Sequence, residues 1–267
     1  MNILVTNDDG IESKGLWALA EAMSRVGEVL VVAPDKERSG AGASVSLHNV
    51  MGITEVTSSI PGVKAYAIDG TPSDCVMVGM RRLSKYDIDL VVSGINPGPN
   101  IGRDIHYSGT VMATLQSYFR KIPSIAVSLY PKNPKETLDF DFAAVVAEKL
   151  ALNIRNGQLL TYAILNVNVP NIPRNRIKGI LITRTADTGY VKLSGVQGND
   201  VVNYHLEPDK LYSNLEKGTD IWAIHNGYIS ITPLHFEITH HEMIPAITGN
   251  VEVLEKELFN DVLDRLK

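Results

Sequence analysis

The chain reads as an α/β protein: a three-layer, doubly wound, Rossmann-like sheet, mostly parallel, with a C-terminal β-rich extension and a terminal helix. Three observations predict this. A strand–helix–strand unit occupies residues 3–34. Short, wholly apolar runs then alternate with helix-period segments as far as about Ile180. Several of those runs end in polar, glycine-bearing loops.

Ile3-Leu4-Val5 is an apolar run that stops at Thr6-Asn7-Asp8-Asp9-Gly10, as a buried strand ending in a polar turn does. Leu16, Leu19, Ala20 and Met23 recur at helical spacing, so Lys14 to Arg25 is expected as a helix. Val29 to Ala33 is the second strand, ended by Pro34, and completes a βαβ unit. A charged and small-residue loop, Asp35 to Ser46, precedes two weaker strand patterns near Val50–Val56 and Lys64–Ile68. Thr71 can cap a helix with Pro72 in its first position, running to about Leu83. Ile88–Ser93 is a strand, followed by the Gly/Pro/Asn-rich stretch Gly94 to Gly102. A helix is expected from near Gly109 to about Arg120, then a strand at Ser124–Ser128, a long helix at Phe140–Ile154 and a strand at Ala163–Val167.

Beyond about Ile180 the alternation stops. Residues 181–235 pattern as β segments with turns at Asp187–Gly189, Gly198–Asp200 and Asn226-Gly227. Val251 to Leu266 patterns as a helix with apolar Val253, Leu254, Leu258, Val262 and Leu266. We therefore expect one domain over residues 1–267, with the Rossmann-like core to about 180 and the extension and arm over about 181–267.

The 25 Lys+Arg against 30 Asp+Glu leave a net charge of -5, which argues against a nucleic-acid polymer as partner. A small phosphorylated ligand fits, since one metal ion and a few amides can neutralise it locally. No stretch approaches the roughly 20 apolar residues of a spanning helix, so no membrane association is expected. The lone Cys75 and a start without a basic leader suggest the cytoplasm.

Ligands of open parallel sheets bind at the carboxyl ends of the strands. Asp8 and Asp9 are adjacent carboxylates at such an end, and two negative charges in a partly desolvated turn call for a cation. With oxygen donors and no nearby histidine or cysteine motif, a hard ion such as Mg²⁺ or Mn²⁺ suits them better than zinc. Ser39 opens a Gly/Ala/Ser run through Gly40 and Gly42 whose amides could approach an anion. Neither a dinucleotide fingerprint nor a Walker A sequence is present, because Val45 breaks the first and no Gly-Lys precedes Ser or Thr. In Gly94–Gly102, Asn96 and Asn100 offer uncharged polar groups on a stiffened loop. Ser108, Gly109 and Thr110 stand at an expected helix start, where free N–H groups suit phosphate and where Ser108 or Thr110 could serve as a plain cap. His106 could protonate a leaving oxygen or act only as a structural hydrogen-bonder.

In order along the chain, Asn2-Ile3-Leu4-Val5-Thr6-Asn7-Asp8-Asp9-Gly10-Ile11, Ala33-Pro34-Asp35 through Arg38-Ser39-Gly40, Asp69 through Val76, Ser93-Gly94-Ile95-Asn96 with Gly98, Asn100 and Gly102, Tyr107 through Val111, and Gly227 through Leu234 resemble the SurE family. The blocks span nearly the whole chain. The resemblance implies metal ligands at Asp8, Asp9, Ser39 and Asn96, and with them one divalent ion per subunit is expected; the residues themselves suggest catalytic or phosphate-binding roles for Asn100, His106, Ser108, Gly109 and Thr110. It implies hydrolysis of nucleoside 5′- and 3′-monophosphates, sometimes of short polyphosphate, by a homodimer or homotetramer built with the C-terminal region. One departure is local. Where the family usually has small residues and then Glu-Gly, this chain has Met112-Ala113-Thr114-Leu115-Gln116-Ser117, which changes the packing beneath the phosphate site.

These readings converge on a metal-dependent phosphomonoesterase. A haloacid-dehalogenase-like phosphatase would need Asp-x-Asp where the chain has Asn7-Asp8-Asp9-Gly10. The alternative is a catalytically weak nucleotide-binding protein of the same fold.

Overall fold

A computed structural model describes residues 1–133, 136–159, 162, 164–188, 191–197, 202–208 and 215–265. The helices and strands are β1 (Asn2–Thr6), α1 (Lys14–Ser24), β2 (Glu28–Pro34), β3 (Ile53–Val56), β4 (Lys64–Ile68), α2 (Pro72–Val78), β5 (Leu90–Asn96), α3 (Gly109–Ala113), α4 (Leu115–Tyr118) and β6 (Ser124–Tyr130). They continue with α5 (Phe140–Arg155), β7 (Ile164–Pro170), β8 (Ile180–Ile182), β9 (Val191–Gln197), β10 (Val202–Pro208), α6 (Asp220–His225), β11 (Ile229–Leu234), α7 (Met243–Thr248) and α8 (Val251–Arg265).

The expected α/β class is the observed one. A 9-stranded sheet runs β3-β4-β2-β1-β5-β6-β7-β11-β8. Its stretch from β4 to β7 is parallel throughout, β3 and β11 pair antiparallel with β4 and β7, and β8 lies parallel to β11. Strand alternation divides the core. Ile3, Val5, Val31 and Val127 face α1 and α5, while Leu4, Val32 and Val91 pack on α2 and Ala113 of α3. The chain winds outward from β1 through β2, then returns to β5 on β1's other side. The topological switch point therefore lies between β1 and β5, where their carboxyl-end loops diverge.

The second face changes character toward β6, β7 and β11. Ser128, Asn166, Asn168, Ser230 and Thr232 are buried there instead of aliphatic residues. Thr183 spans two of them, its hydroxyl 2.7 Å from those of Ser230 and Thr232. A buried polar surface of this kind needs hydrogen-bonding cover, and the loop after β5 supplies part of it.

Three elements differ from expectation. The helix expected from Gly109 to Arg120 is split into α3 and α4 at Thr114. There the Thr114 hydroxyl donates to the Val111 carbonyl at 2.6 Å and the Ser117 hydroxyl to the Thr114 carbonyl at 2.5 Å, competing with the backbone ladder. Asp220–His225, expected within a run of β segments, is a helix capped by Thr219 and too short to show a period. Beyond residue 180, β8 and β11 enter the main sheet, and β9 and β10 form a separate antiparallel pair. Of the expected turns, Gly198–Asp200 and Gly189 lie outside the described residues.

The chain divides into two compact units, Met1–His235 and Phe236–Lys267. The second holds α7 and α8 and leaves Ile238, Met243, Ile244, Ile247, Val253, Leu254, Leu258 and Phe259 exposed. Leu266 and the Val262 side chain, expected on the same apolar stripe, lie outside the described residues. No helix among the described residues is long and apolar enough to cross a membrane.

Candidate active site

The loop after β1 is closed by one side chain. Buried Asn7 donates to the Gly10 carbonyl at 3.0 Å and accepts the Gly10 N–H at 3.2 Å. This tight turn sets Asp8 and Asp9 at the switch point. Asp8 is 4% exposed, and the Thr110 hydroxyl donates to its Oδ1 at 2.5 Å. Gly109 packs directly on it: a Cβ there would stand 2.6 Å from Asp8 Cβ and 2.7 Å from its Oδ2. Residues separated by 102 positions thus form one contact, with α3 abutting the acidic turn.

Burial raises the Asp8 carboxyl above its ordinary range, opposed by the Thr110 hydroxyl and backbone N–H. Asp9 is pushed up to about 7 by burial, then by the charges of Asp8 and Glu37. Its Oδ2 is buried with no hydrogen-bond partner. A carboxylate pair that is desolvated, mutually repelling and left with an orphaned oxygen is chemically suited to a divalent cation. Among the described residues, no group of three or more His, Cys, Asp or Glu gathers into a metal centre, so neutral oxygens must complete any such site.

The loop after β2 is stitched to both partners. The Arg38 N–H donates to the Asp8 carbonyl at 2.7 Å, and the Gly42 N–H to the Tyr107 carbonyl at 3.1 Å. Ser39 is exposed and its hydroxyl donates to Glu37 Oε1 at 2.8 Å, which leaves its lone pairs as donors to a cation. The Arg38 guanidinium is held by Asp69 at 2.7 Å and Asp35 at 3.2 Å, so it anchors the loop. Gly40 is exposed.

After β5, Asn96 donates its amide to the Gly98 carbonyl at 2.6 Å, and no hydrogen bond reaches its Oδ1 among the described residues. Asn100 is 7% exposed and clamped onto the polar face of the sheet. Its N–H donates to Asn168 Oδ1 at 2.9 Å, and its carbonyl accepts from Asn166 and Asn168 at 2.8 and 2.9 Å. Its side-chain amide donates to Ser128 Oγ at 2.7 Å. Buried Asp220 fastens the loop's far end, accepting the N–H groups of Gly102 and Ala186 at 2.8 and 3.0 Å.

Ser108 caps α3: its hydroxyl accepts the Val111 N–H at 3.1 Å, which leaves its own hydrogen to donate. The Tyr107 phenol donates to Asp104 Oδ1, and burial, then this pairing, raises the phenol's pKa above its ordinary value. His106 is exposed at the end of the 3₁₀ turn Gly102–His106.

The structure therefore brings Asp8, Asp9, Gly109 and Thr110 together and ties the Ser39 and Tyr107 segments to them. It redistributes some of the work expected of these residues. The Thr110 hydroxyl holds Asp8 and the Gly42 N–H holds Tyr107, so those groups are committed within the protein. Asn100 is first a loop anchor. Sequence reasoning missed Glu37, Asn166, Asn168 and Asp220. The signal for two of them was visible as asparagines on alternate positions of an otherwise apolar strand, Leu165-Asn166-Val167-Asn168. A cleft of about 470 Å³ opens at the opposite sheet edge, lined by Asn2, Glu28, Lys64, Lys85 and Tyr86, and lies away from the acidic pair.

Fold and site together define a doubly wound α/β protein with an acidic pair at its switch point, Asp8 buried and Asp9 half-buried. A family model described as "Survival protein SurE" matches residues 3–192. The chain belongs to the SurE family. It is 44% identical over 237 residues to the 5'-nucleotidase SurE of Dehalococcoides mccartyi strain CBDB1, covering 88% of this chain and 89% of that one. It is 40% identical over 253 residues to the 5'-nucleotidase SurE of Geotalea daltonii, covering 92% and 98%. The crystal structure of the SurE protein from Aquifex aeolicus superposes with a TM-score of 0.80 at 36% identity, covering 93% of this chain and 99% of that one.

Proposed function

We propose that the chain is a nucleotidase: a metal-dependent phosphomonoesterase that splits nucleoside 5′- and 3′-monophosphates into nucleoside and phosphate, with short polyphosphate as a second substrate. The observation that carries this is Asp9 Oδ2, buried without a partner beside Asp8 at the switch point. The relatives named 5'-nucleotidase support the substrate class. Asp8, Asp9, Ser39 and Asn96 would hold one Mg²⁺ or Mn²⁺ per subunit. When bound, that ion supplies charge neutralisation and a template for the phosphoryl group.

The chain's own residues do the rest. Thr110 fixes the Asp8 carboxylate, while Asp9 keeps an oxygen to offer. The Ser108 hydroxyl and the amides at Gly109 and Gly40 would hold phosphate oxygens, acting most strongly as charge builds in the transition state. Asn100 presents its segment from a clamped position. His106, exposed at the end of its turn, would be the group to protonate the leaving oxygen. The exposed apolar residues of the C-terminal arm would be covered in a homodimer or homotetramer, the assembly that the resemblance implies. The lone buried Cys75 suits the cytoplasm.

The split at Thr114 motivates the second reading, a weak nucleotide-binding protein. A phosphate-release assay on adenosine 5′- and 3′-monophosphates and p-nitrophenyl phosphate separates the two. We expect turnover with Mg²⁺ or Mn²⁺ and none with EDTA. Binding without turnover under every metal would replace the enzyme by the binding protein.

A further inference from the structure

The geometry points to Tyr107 as the platform on which the nucleotide's base stacks. This deepens the nucleotidase reading and rests on it. Tyr107 is 45% exposed, although the residues that follow it, Ser108 to Ala113, are buried. Within Met1–His235, four described aromatic side chains are exposed: Tyr86, Tyr107, Phe119 and Tyr162. Tyr86, Phe119 and Tyr162 precede β5, β6 and β7, at the amino edge of the sheet. Tyr107 alone of these stands among the carboxyl-edge loops.

Its distance from the reacting end suits a nucleotide. Two residues on, Gly109 lies against the Asp8 carboxylate. Two residues of chain reach about 7 Å, comparable to the sugar that separates a phosphate from its base. The ring is also held before any ligand arrives. Its phenol donates to buried Asp104, its carbonyl accepts the Gly42 N–H at 3.1 Å, and a Cβ on Gly42 would lie 3.5 Å from Tyr107 Cα. A fixed aromatic face in water gains by covering apolar area, and little side-chain freedom is left to lose.

The chemistry also says what Tyr107 would not do. Its hydroxyl is engaged by Asp104, so the face and not the phenol meets the base. Every base has a π-face, so stacking of this kind tolerates all of them. Tyr107 would therefore separate nucleotides from sugar phosphates without choosing among bases.

Steady-state kinetics with adenosine 5′-monophosphate and ribose 5-phosphate test this, the second being the same ester without a base. In Tyr107→Ala the ratio of the two KM values, nucleotide over sugar phosphate, should rise roughly tenfold. Tyr107→Phe keeps the ring and gives up the Asp104 bond, so its ratio should stay near wild type. KM does not depend on the amount of folded enzyme, so partial misfolding of a variant leaves the ratio readable. An unchanged ratio in Tyr107→Ala, or the same change in both variants, overturns the platform. Should the wild type hydrolyse neither ester, the nucleotidase reading fails, and calorimetric binding of the same two ligands to wild type and Tyr107→Ala then decides the stacking: equal losses for both ligands overturn it.

Discussion

Gly109 shows how one missing side chain makes a site. With no Cβ, α3 can bring its first turn against Asp8, and Thr110 can then reach Oδ1. A Cβ at this position would meet the Asp8 side chain. The obstacle is Asp8 Cβ, which cannot swing aside as a flexible chain end could, so either the turn or α3 must move. Gly109→Ala is expected to destabilise the protein by about 1–3 kcal/mol, as overpacking does. It should also weaken metal binding, because the ligand itself is displaced. Melting temperature and Mn²⁺ titration on one preparation check both, and a variant with wild-type metal affinity would show that Asp8 has room to adjust. None of this contact is visible locally in the sequence. Asp8 and Thr110 lie 102 positions apart, and only their joint membership of one family pattern linked them beforehand.

At the scale of the element, α3 is short and owes its start to Ser108. A cap that accepts the Val111 N–H keeps its own hydrogen, so capping and phosphate binding are compatible in one hydroxyl. Ser108→Ala is expected to cost about 1 kcal/mol of stability as a lost cap. If the same hydroxyl also contacts the transition state, turnover should fall roughly ten- to a hundredfold. A destabilised mutant with full turnover would leave Ser108 as a cap only. The elements that were legible share a cause. β1, α1 and β2 are regular and surrounded by their own core, so apolar runs and period were enough. The break at Thr114 was not legible, because it follows from hydroxyls choosing carbonyls three residues back. Nor was α6, where six residues give no period to read.

For the molecule as a whole, the order of strands does more than any single motif. It places β1 beside β5 and so makes neighbours of two loops far apart in sequence. The polar patch of Ser128, Asn166 and Asn168 then pins the second loop from below. The acidic pair was readable as a candidate from its place after the first strand. The anchoring of the loop after β5 by Asn166, Asn168 and Asp220 was not, since those residues come from strands and helices whose adjacency only the folded sheet creates. The second unit carries its own prediction. Exposed Ile244, Ile247, Leu254, Leu258 and Phe259 leave apolar area that a partner copy could cover. Deleting Val251–Lys267 is expected to lower the oligomer's mass in light scattering; an unchanged mass, or a monomeric wild type, would remove assembly from this arm.

The central claim is that Asp8 and Asp9 hold a divalent ion, and calorimetric titration of Mn²⁺ into chelator-treated protein tests it most directly. In the metal-free protein Asp9 is raised to about 7, so at pH 6 a proton must leave before the cation binds, whereas at pH 8 the carboxylate is already ionised. By the same sign, the metal-free protein loses the stability associated with this group as pH rises toward that value, and the ion restores it. Affinity should therefore increase about tenfold from pH 6 to pH 8, with proton uptake by the buffer at the lower pH. Asp9→Asn should bind Mn²⁺ far more weakly and lose the pH dependence. One site per chain with that pH dependence is the predicted result; no binding by the wild type, or equal binding by Asp9→Asn, would contradict the account.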